Sequence, residues 1–202
     1  MFVQVFQGQV SDTAAMKAQL DKWASEVAPT ASGWLGSTAG VTEDGRFIAL
    51  ARFESEGAAQ QNSDRPEQGA WWEETAKLFT DEPVFRNSTE VDVDTPGDPA
   101  TAGFVQVMQG KSSDPARARE LMASDPTDWA SFRPDILGTV SAGHEGGEWT
   151  MAIYFRSEEE AREGERKEPP PEMAQMMKEM DELTVGEPSY FDLKDPWLHA
   201  PG

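Results

Sequence analysis

Two adjacent tryptophans, Trp71 and Trp72, are the most unusual chemical feature of this chain. They belong to a stretch with helical periodicity, in which neighbouring side chains point about 100° apart, so both indoles can rarely share one buried place. One interpretation is that one indole belongs to the core while the other packs at an edge or interface. The other interpretation is that the pair forms a stacking wall for a planar ligand. The sequence leaves both open.

Arg52 is the second residue whose position could serve chemistry. It interrupts an apolar strand that covers residues 47–53, and a charge in such a strand needs a partner. The arginine either pairs with a nearby carboxylate or holds an anionic oxygen of a substrate or intermediate. The candidate carboxylates are Glu54, Glu73 and Glu74.

Several other kinds of chemistry are disfavoured by the residue types. The chain has no cysteine, which excludes disulfides, zinc–thiolate sites, iron–sulfur clusters and cysteine nucleophiles. Its two histidines, His144 in a hairpin turn and His199 near the C-terminus, leave no serine with a credible catalytic triad. There is no glycine-rich phosphate loop and no spacing typical of metal ligands. We therefore expect neither a metal nor a cofactor. A methionine stripe in the second half is interpreted as core filling; it comprises Met173, Met176, Met177 and Met180.

The charge balance restricts the possible partners. Thirty-seven acidic residues against 17 basic ones give a net charge of −20, which disfavours nucleic acids and anionic membranes as partners. No apolar run approaches the roughly 18 residues that a membrane-spanning helix needs. The first strand begins directly after Met1, which leaves no room for a signal peptide. We therefore expect a cytoplasmic protein.

An internal duplication organises the chain. Residues 2–8 read FVQVFQG and residues 104–110 read FVQVMQG, an offset of 102 residues with a single difference. The same offset continues up to Arg65, and from Pro66 onwards it becomes 105. The three extra residues lie beside the run of prolines at 169–171. One register kept over so many positions indicates two copies of a small domain.

Each copy has the pattern β-α-β-β-α-β, which is typical of a ferredoxin-like domain. Alternating apolar residues predict the strands, Asp-Gly predicts a hairpin turn, and polar caps and prolines predict the helix starts. The first copy has strands at Phe2–Gln7, Trp34–Val41, Arg46–Phe53 and Val84–Val93, with helices starting after Asp12, after Ser55 and at Pro66. The third strand of each copy is apolar on both faces, which predicts a sheet covered on both sides.

These patterns predict an α+β fold in which two ferredoxin-like repeats pack sheet to sheet as an intramolecular α+β barrel. The predicted first repeat covers residues 1–93, a linker covers 94–103, and a more degenerate second repeat covers 104–194. Residues 195–202 are expected to be a poorly ordered tail. A chain whose two copies cover each other should be a monomer, an intramolecular pseudo-dimer.

This arrangement resembles the dimeric α+β barrel superfamily, and within it the antibiotic-biosynthesis-monooxygenase-like proteins. The resemblance covers nearly all of both halves and is specific for the fold, whereas activities in the superfamily vary widely. It is carried by the opening strand at residues 2–5, by Trp34-Leu-Gly with the turn Asp44-Gly45, and by the blocks Phe53-Glu-Ser-Glu-Gly-Ala58 and Phe155-Arg-Ser-Glu-Glu-Glu-Ala161.

The resemblance implies a substrate pocket between the sheet and the helices of a copy. Neither histidine matches the position of the iron ligand in haem-degrading relatives, so haem degradation is disfavoured. The tryptophan pair and the arginine are absent from the second copy, so the resemblance favours a pocket in the first. The positions implied in the first copy are Gln4, Gln7, Arg52, Asn62, Arg65, Trp71 and Trp72, and those in the second are Gln106, Gln109, Tyr154, Met176 and Met177.

Two functional hypotheses follow. The first is a cofactor-independent monooxygenase acting on a small hydrophobic aromatic substrate, whose own carbanion reduces oxygen. Arg52 or a glutamine would stabilise the anion, and Trp71 and Trp72 would form aromatic walls. The second is a non-catalytic small-molecule-binding or structural barrel. A cavity in the first copy that reaches Trp72 and Arg52 would favour the enzyme, and a solid core there would contradict it.

Overall fold

The computed structural model describes residues 1–124 and 127–201. Within these ranges the chain forms seven α-helices and ten strands in two five-stranded sheets, an α+β fold as predicted. Two compact units divide it: Met1–Val91 together with Leu193–Gly202, and Asp92–Asp192. Residues 125 and 126 of the predicted second repeat and residue 202 of the predicted tail lie outside the described residues. No helix in the described ranges has the length and apolar character that crossing a bilayer requires.

The first unit contains a sheet with the strand order β10-β2-β3-β1-β4. Side chains of Asp12 and Ser55 accept hydrogen bonds from backbone N–H groups in the first turns of the first two helices, and Pro66 starts the third. The elements are β1 (Phe2–Gln9), α1 (Thr13–Lys22), β2 (Trp34–Val41), β3 (Arg46–Phe53), α2 (Glu56–Ser63), α3 (Pro66–Ala76), β4 (Val84–Ser88) and β10 (Trp197–His199). A π-helical turn (Trp23–Val27) and a 3-10 turn (Ala28–Thr30) extend α1.

Both faces of the first sheet are buried. The helix-facing side carries an aromatic and aliphatic core, which includes Phe2, Phe6, Phe47, Phe53 and Trp34 from the strands and Met16, Leu20, Trp23 and Trp71 from the helical segments. On the opposite side, Val3, Val5, Ile48 and Leu50 are at most 1% exposed. The two-sided burial that the apolar third strand predicted is therefore confirmed.

The second unit contains a sheet with the equivalent order, β5-β7-β8-β6-β9. Its strand register repeats that of the first, since Phe104 faces Phe155 as Phe2 faces Phe53. The elements are β5 (Glu90–Asp94), β6 (Phe104–Lys111), α4 (Pro115–Ala123), α5 (Trp129–Phe132), β7 (Ile136–Gly143), β8 (Glu148–Phe155), α6 (Glu158–Glu165), α7 (Pro171–Leu183) and β9 (Ser189–Leu193).

Two predictions about the ends of the repeats were wrong. The fourth strand predicted at 84–93 is two strands in different sheets, because the side chain of Ser88 bonds both the N–H (3.0 Å) and the C=O (3.1 Å) of Glu90 and the chain turns there. The predicted tail forms β10, whose Trp197 pairs with Ala39 and is 5% exposed. The compact units therefore differ from the sequence repeats, and the sheet-to-sheet packing of the repeats stays a prediction.

The predicted linker is also ordered within the second unit. A 3-10 turn covers Pro99–Thr101, and Asp98 caps it by accepting a hydrogen bond from Ala100 N (3.0 Å). The N–H of Gly97 donates to the C=O of Leu137 (3.0 Å), beside the start of β7. Residues 94–103 thus connect the sequence repeats as an integral part of the second unit.

Candidate functional site

The structure divides the site predicted in the first copy between two faces of the sheet. Phe2 and Phe53 face each other within the helix-side core, and the next pair along the strands is Val3 with Arg52. Because successive residues of a strand point to opposite faces, Arg52 projects away from the helices. Trp72 packs against the helix-side core. The structure therefore does not bring Arg52 and Trp72 together.

The two predicted glutamines are separated in the same way. Gln4 shares the helix-facing side with Phe2 and donates a hydrogen bond to the side chain of Asn87 (3.2 Å). Gln7, three residues further along β1, lies on the side of Arg52. Only one of the two glutamines therefore lies on the side on which the resemblance placed a pocket.

The tryptophan pair has one member in the core and one at its edge. Trp71 is 8% exposed, and its indole N–H donates to the C=O of Gln19 (2.8 Å). Trp72 is half-buried, with its ring centroid 5.8 Å from that of Phe6 and 5.2 Å from that of Phe85. This is the arrangement of the core-and-edge interpretation, since aromatic rings at such distances pack against one another.

Asn62 and Arg65 are hydrogen-bonded to other residues of the first unit. The guanidinium of Arg65 donates to the C=O of Val27 (3.2 and 3.3 Å), to the hydroxyl of Thr30, and to the amide oxygen of Asn62 (2.9 Å). Asn62 is 6% exposed and donates in turn to Gln68 (3.1 Å). The arginine thus ties the end of α2 to the helical turns that follow α1. Both side chains that the resemblance assigned to a pocket are thus engaged within the first unit.

The second unit differs at the corresponding place, where a cleft of about 500 Å³ opens in its helical layer. Its lining residues come from the segment leading into α5, from α5 itself and from the start of α7: Thr127, Asp128, Ser131, Phe132, Pro170 and Glu172. Sequence reasoning missed these residues. The signal that could have found them is the three-residue insertion beside the prolines, which lengthens the connection between α6 and α7.

The insertion and the smaller side chains explain the opening. Only two residues separate α2 from α3, whereas five separate α6 from α7. The counterparts of Trp34 and Trp71 are Ile136 and Met176, which fill less space than indoles. Correspondingly, the helix-facing side of the second sheet is only half-buried at Met108, Thr139, Ser141, Trp149, Met151 and Ile153.

The cleft combines apolar surface with acceptors of hydrogen bonds. Asp128 caps α5, since its carboxylate accepts from the hydroxyl (2.7 Å) and the N–H (3.2 Å) of Ser131. These hydrogen bonds hold the pKa of Asp128 below its ordinary value, so it is ionised at neutral pH. Phe132 and Pro170 supply apolar surface, and Glu172 supplies a second carboxylate. Such a surface suits a small aromatic molecule that carries hydroxyl groups.

A charged network crosses the helix-facing side of the second sheet. Gln106, 9% exposed, donates to Asp192 (2.9 Å), which also pairs with Arg162 of α6. Arg162 lies 5.2 Å from the ring centroid of Phe104 and donates to Glu165 (2.9 Å). Burial alone would lower the pKa of Arg162, but the hydrogen bond and charge of Asp192 and of Glu165 outweigh it and raise that pKa. The equivalent pair in the first unit is the neutral Gln4 and Asn87.

The remaining residues implied in the second copy do not converge on the cleft. Gln109 donates to the hydroxyl of Thr150 (3.1 Å), and Tyr154 is 3% exposed on the side away from the helices. Met176 of α7 is half-buried, and its neighbour Met177 is 46% exposed. Among the described residues, no group of three or more His, Asp or Glu side chains is placed to hold a metal ion.

Comparisons with known proteins relate the chain to others through its fold. No protein-family model and no curated protein sequence matches it. Among solved structures, a "putative monooxygenase" from Lactobacillus acidophilus has a TM-score of 0.77 at 13% identity, covering 98% of this chain and 95% of that one. A "putative monooxygenase" from Fusobacterium nucleatum has a TM-score of 0.77 at 9% identity, covering 100% and 94%. An anthrone oxidase-like protein has a TM-score of 0.61 at 10% identity, covering 98% and 93%. The chain therefore shares its fold with these structures over nearly its whole length, and the predicted α+β fold is confirmed.

Proposed function

We propose that this protein binds a small hydrophobic aromatic molecule in the cleft of the second unit. The observation that carries the proposal is the difference between equivalent places in the two units. In the first unit the guanidinium of Arg65 bonds the hydroxyl of Thr30 and the C=O of Val27. In the second unit the counterpart of Thr30 is Phe132, which lines the cleft. A lining that combines a phenyl ring with two carboxylates favours a planar ligand whose hydroxyl groups donate hydrogen bonds.

The activity that we propose for this site is monooxygenation without a cofactor. It is supported by full-length likeness of fold to chains named as monooxygenases or as anthrone oxidase-like. In this reaction a carboxylate of the cleft accepts a proton from an activated CH₂ group, and O₂ oxidises the resulting carbanion by forming a C–O bond. The carboxylic acid returns its proton to the peroxide anion, which gives a hydroperoxide. Loss of water from the hydroperoxide then leaves a carbonyl group, so one oxygen atom enters the product and the other enters water. Binding without turnover is the alternative, favoured by the low pKa of Asp128, which makes this carboxylate a weak base.

A fluorescence titration tests the binding site. Trp129 is 36% exposed, and its ring lies 6.3 Å from that of Phe132, so it reports on the cleft. Anthrone-like and quinone-like compounds should quench it saturably, and Phe132→Ala should weaken binding at least about tenfold. Thr30→Ala, the matched change in the first unit, should leave binding unaltered. Oxygen uptake with the best ligand then separates turnover from binding.

The rival location in the first unit is tested by the same titration. Quenching that persists in Phe132→Ala but disappears in Trp72→Ala, with both variants folded by circular dichroism, would overturn the proposal and restore the first-copy pocket. Absence of saturable quenching by any of these compounds would contradict a hydrophobic aromatic ligand altogether.

A further inference from the structure

One face of the first sheet carries positive charge in an otherwise strongly acidic protein. The register places Arg46, Arg52 and Arg86 on the side away from the helices, opposite Gln9, Val3 and Val5 of β1 respectively. None of the five strands of this sheet contains an aspartate or a glutamate, although the chain has 37 acidic and 17 basic residues. All charged residues that these strands place on this face are thus arginines.

Arg52 lies among buried, uncharged residues. Its neighbours on this face include Val3 (0% exposed), Leu50 (1%) and Thr38 (2%). The Nε atom of Arg52 is buried and has no hydrogen-bond partner among the described residues. A buried donor of a charged group without an acceptor is unfavourable.

The backbone makes room for this guanidinium. Gly36 of β2 lies opposite Arg52 and has a φ of +128°, which side-chain-bearing residues rarely adopt. A Cβ at this position would lie 2.9 Å from the Nη2 atom of Arg52 and 2.8 Å from the C=O of His199. A side chain at this position would therefore collide with the guanidinium of Arg52 and with the backbone of His199.

The second unit has no arginine at the positions equivalent to Arg52 and Arg86. The counterparts of Arg52 and Arg86 are Tyr154 and Phe191, which are 3% and 4% exposed. The same sheet topology is thus built with two aromatic side chains in one unit and two guanidinium groups in the other. The arginines are a property of the first unit and are not required by the fold.

We propose that Arg52 binds a small oxyanion on this face of the first sheet. The planar guanidinium offers its Nε–H and a terminal N–H side by side, which matches two oxygens of a carboxylate or phosphate group. The ligand satisfies the buried Nε donor and neutralises the charge. This site belongs to the first unit, so it is independent of the function proposed for the cleft.

Thermal unfolding at constant ionic strength tests the site, with inorganic phosphate in one series and acetate in another replacing chloride. A ligand that binds only the folded state raises Tm with its concentration. We expect such a rise for the wild type and none for Arg52→Met. Without oxyanion, Arg52→Met should be at least as stable as the wild type, because it removes a buried unpaired charge. The tighter-binding series identifies phosphate or carboxylate as the recognised group.

Arg46→Met is the matched control, since Arg46 lies on the same face but pairs with Asp44 (2.8 Å). It should keep the oxyanion-dependent rise. A wild-type Tm that is the same in phosphate, acetate and chloride, or an equal rise in Arg52→Met, would overturn the proposal. If Arg52→Met does not fold, titration calorimetry of phosphate and acetate into the wild type and Arg52→Lys decides. Saturable heat that is weakened in Arg52→Lys, which keeps the charge but lacks the paired N–H donors, supports the site, and no saturable heat refutes it.

Discussion

The two units of this protein share a strand order and a register but differ in how they fill the space between sheet and helices. In the first unit three tryptophans meet there: the ring centroid of Trp23 lies 5.0 Å from that of Trp34 and 6.2 Å from that of Trp71. In the second, the described core cluster is built around Phe104, Phe155 and Ala161. Duplication allows such a division, because one copy can supply stability while the other keeps an opening.

A pair of matched truncations tests this contrast most strongly. Trp71→Ala should destabilise the protein by about 3–5 kcal/mol, since it removes a buried indole from a packed core. Met176→Ala, its counterpart, should cost only about 1–2 kcal/mol because that side chain is already half-buried. Urea unfolding gives both free energies. Equal losses would mean that the second unit is as tightly packed as the first.

A smaller loss of stability is expected at Arg65, which joins α2 to the helical turns that follow α1. Arg65→Ala removes the hydrogen bonds to Val27 and Thr30 and leaves the C=O of Val27, a buried residue, without this donor, so we expect a loss of about 2 kcal/mol. The matched change is Lys167→Ala, whose exposed ammonium donates to the C=O of Phe132 (3.1 Å) and should cost under about 0.5 kcal/mol. Chemical unfolding of both variants measures the difference, and a larger effect at Lys167 would reverse the comparison.

The smallest effect concerns acid stability at the cleft. The Asp128 carboxylate has its pKa lowered by the hydrogen bonds from Ser131. Its contribution is therefore present above the ordinary value of 3.8 and is lost as the pH falls through the lower, folded-state value. Asp128→Asn should flatten the dependence of Tm on pH slightly below pH 4 and leave it unchanged near neutrality. A variant whose Tm differs from wild type only above pH 6 would contradict this assignment.

Much of the fold could be predicted because its signals are local. The Asp44-Gly45 turn, the caps at Asp12 and Ser55, and the two-sided apolar third strand each specify an element without reference to distant residues. The split of the fourth strand was missed, because it depends on Ser88 bonding the backbone of Glu90 and on pairing in two different sheets.

The candidate site was harder to predict because side chains from separate segments determine how the space between sheet and helices is filled. Large aromatic residues suggested a ligand wall, yet Trp71 packs against Trp23 and completes a core. The direction of Arg52 follows from strand alternation relative to Phe53, and applying it would have separated Arg52 from the tryptophans. The cleft depends on a loop only three residues longer, which the sequence displays but whose effect on helix spacing it does not reveal.

The return of residues 193–202 to the first unit has a consequence for synthesis of the protein. The Nε2 atom of His199 lies 3.0 Å from a carboxylate oxygen of Asp21, across a sequence separation of 178 residues. The ring centroids of Trp197 and Phe47 are 6.3 Å apart. During translation the first sheet therefore lacks this edge strand until the second repeat has emerged from the ribosome. A nascent chain cut between the repeats would carry an unfinished first domain, with one strand edge and part of its core open to chaperones.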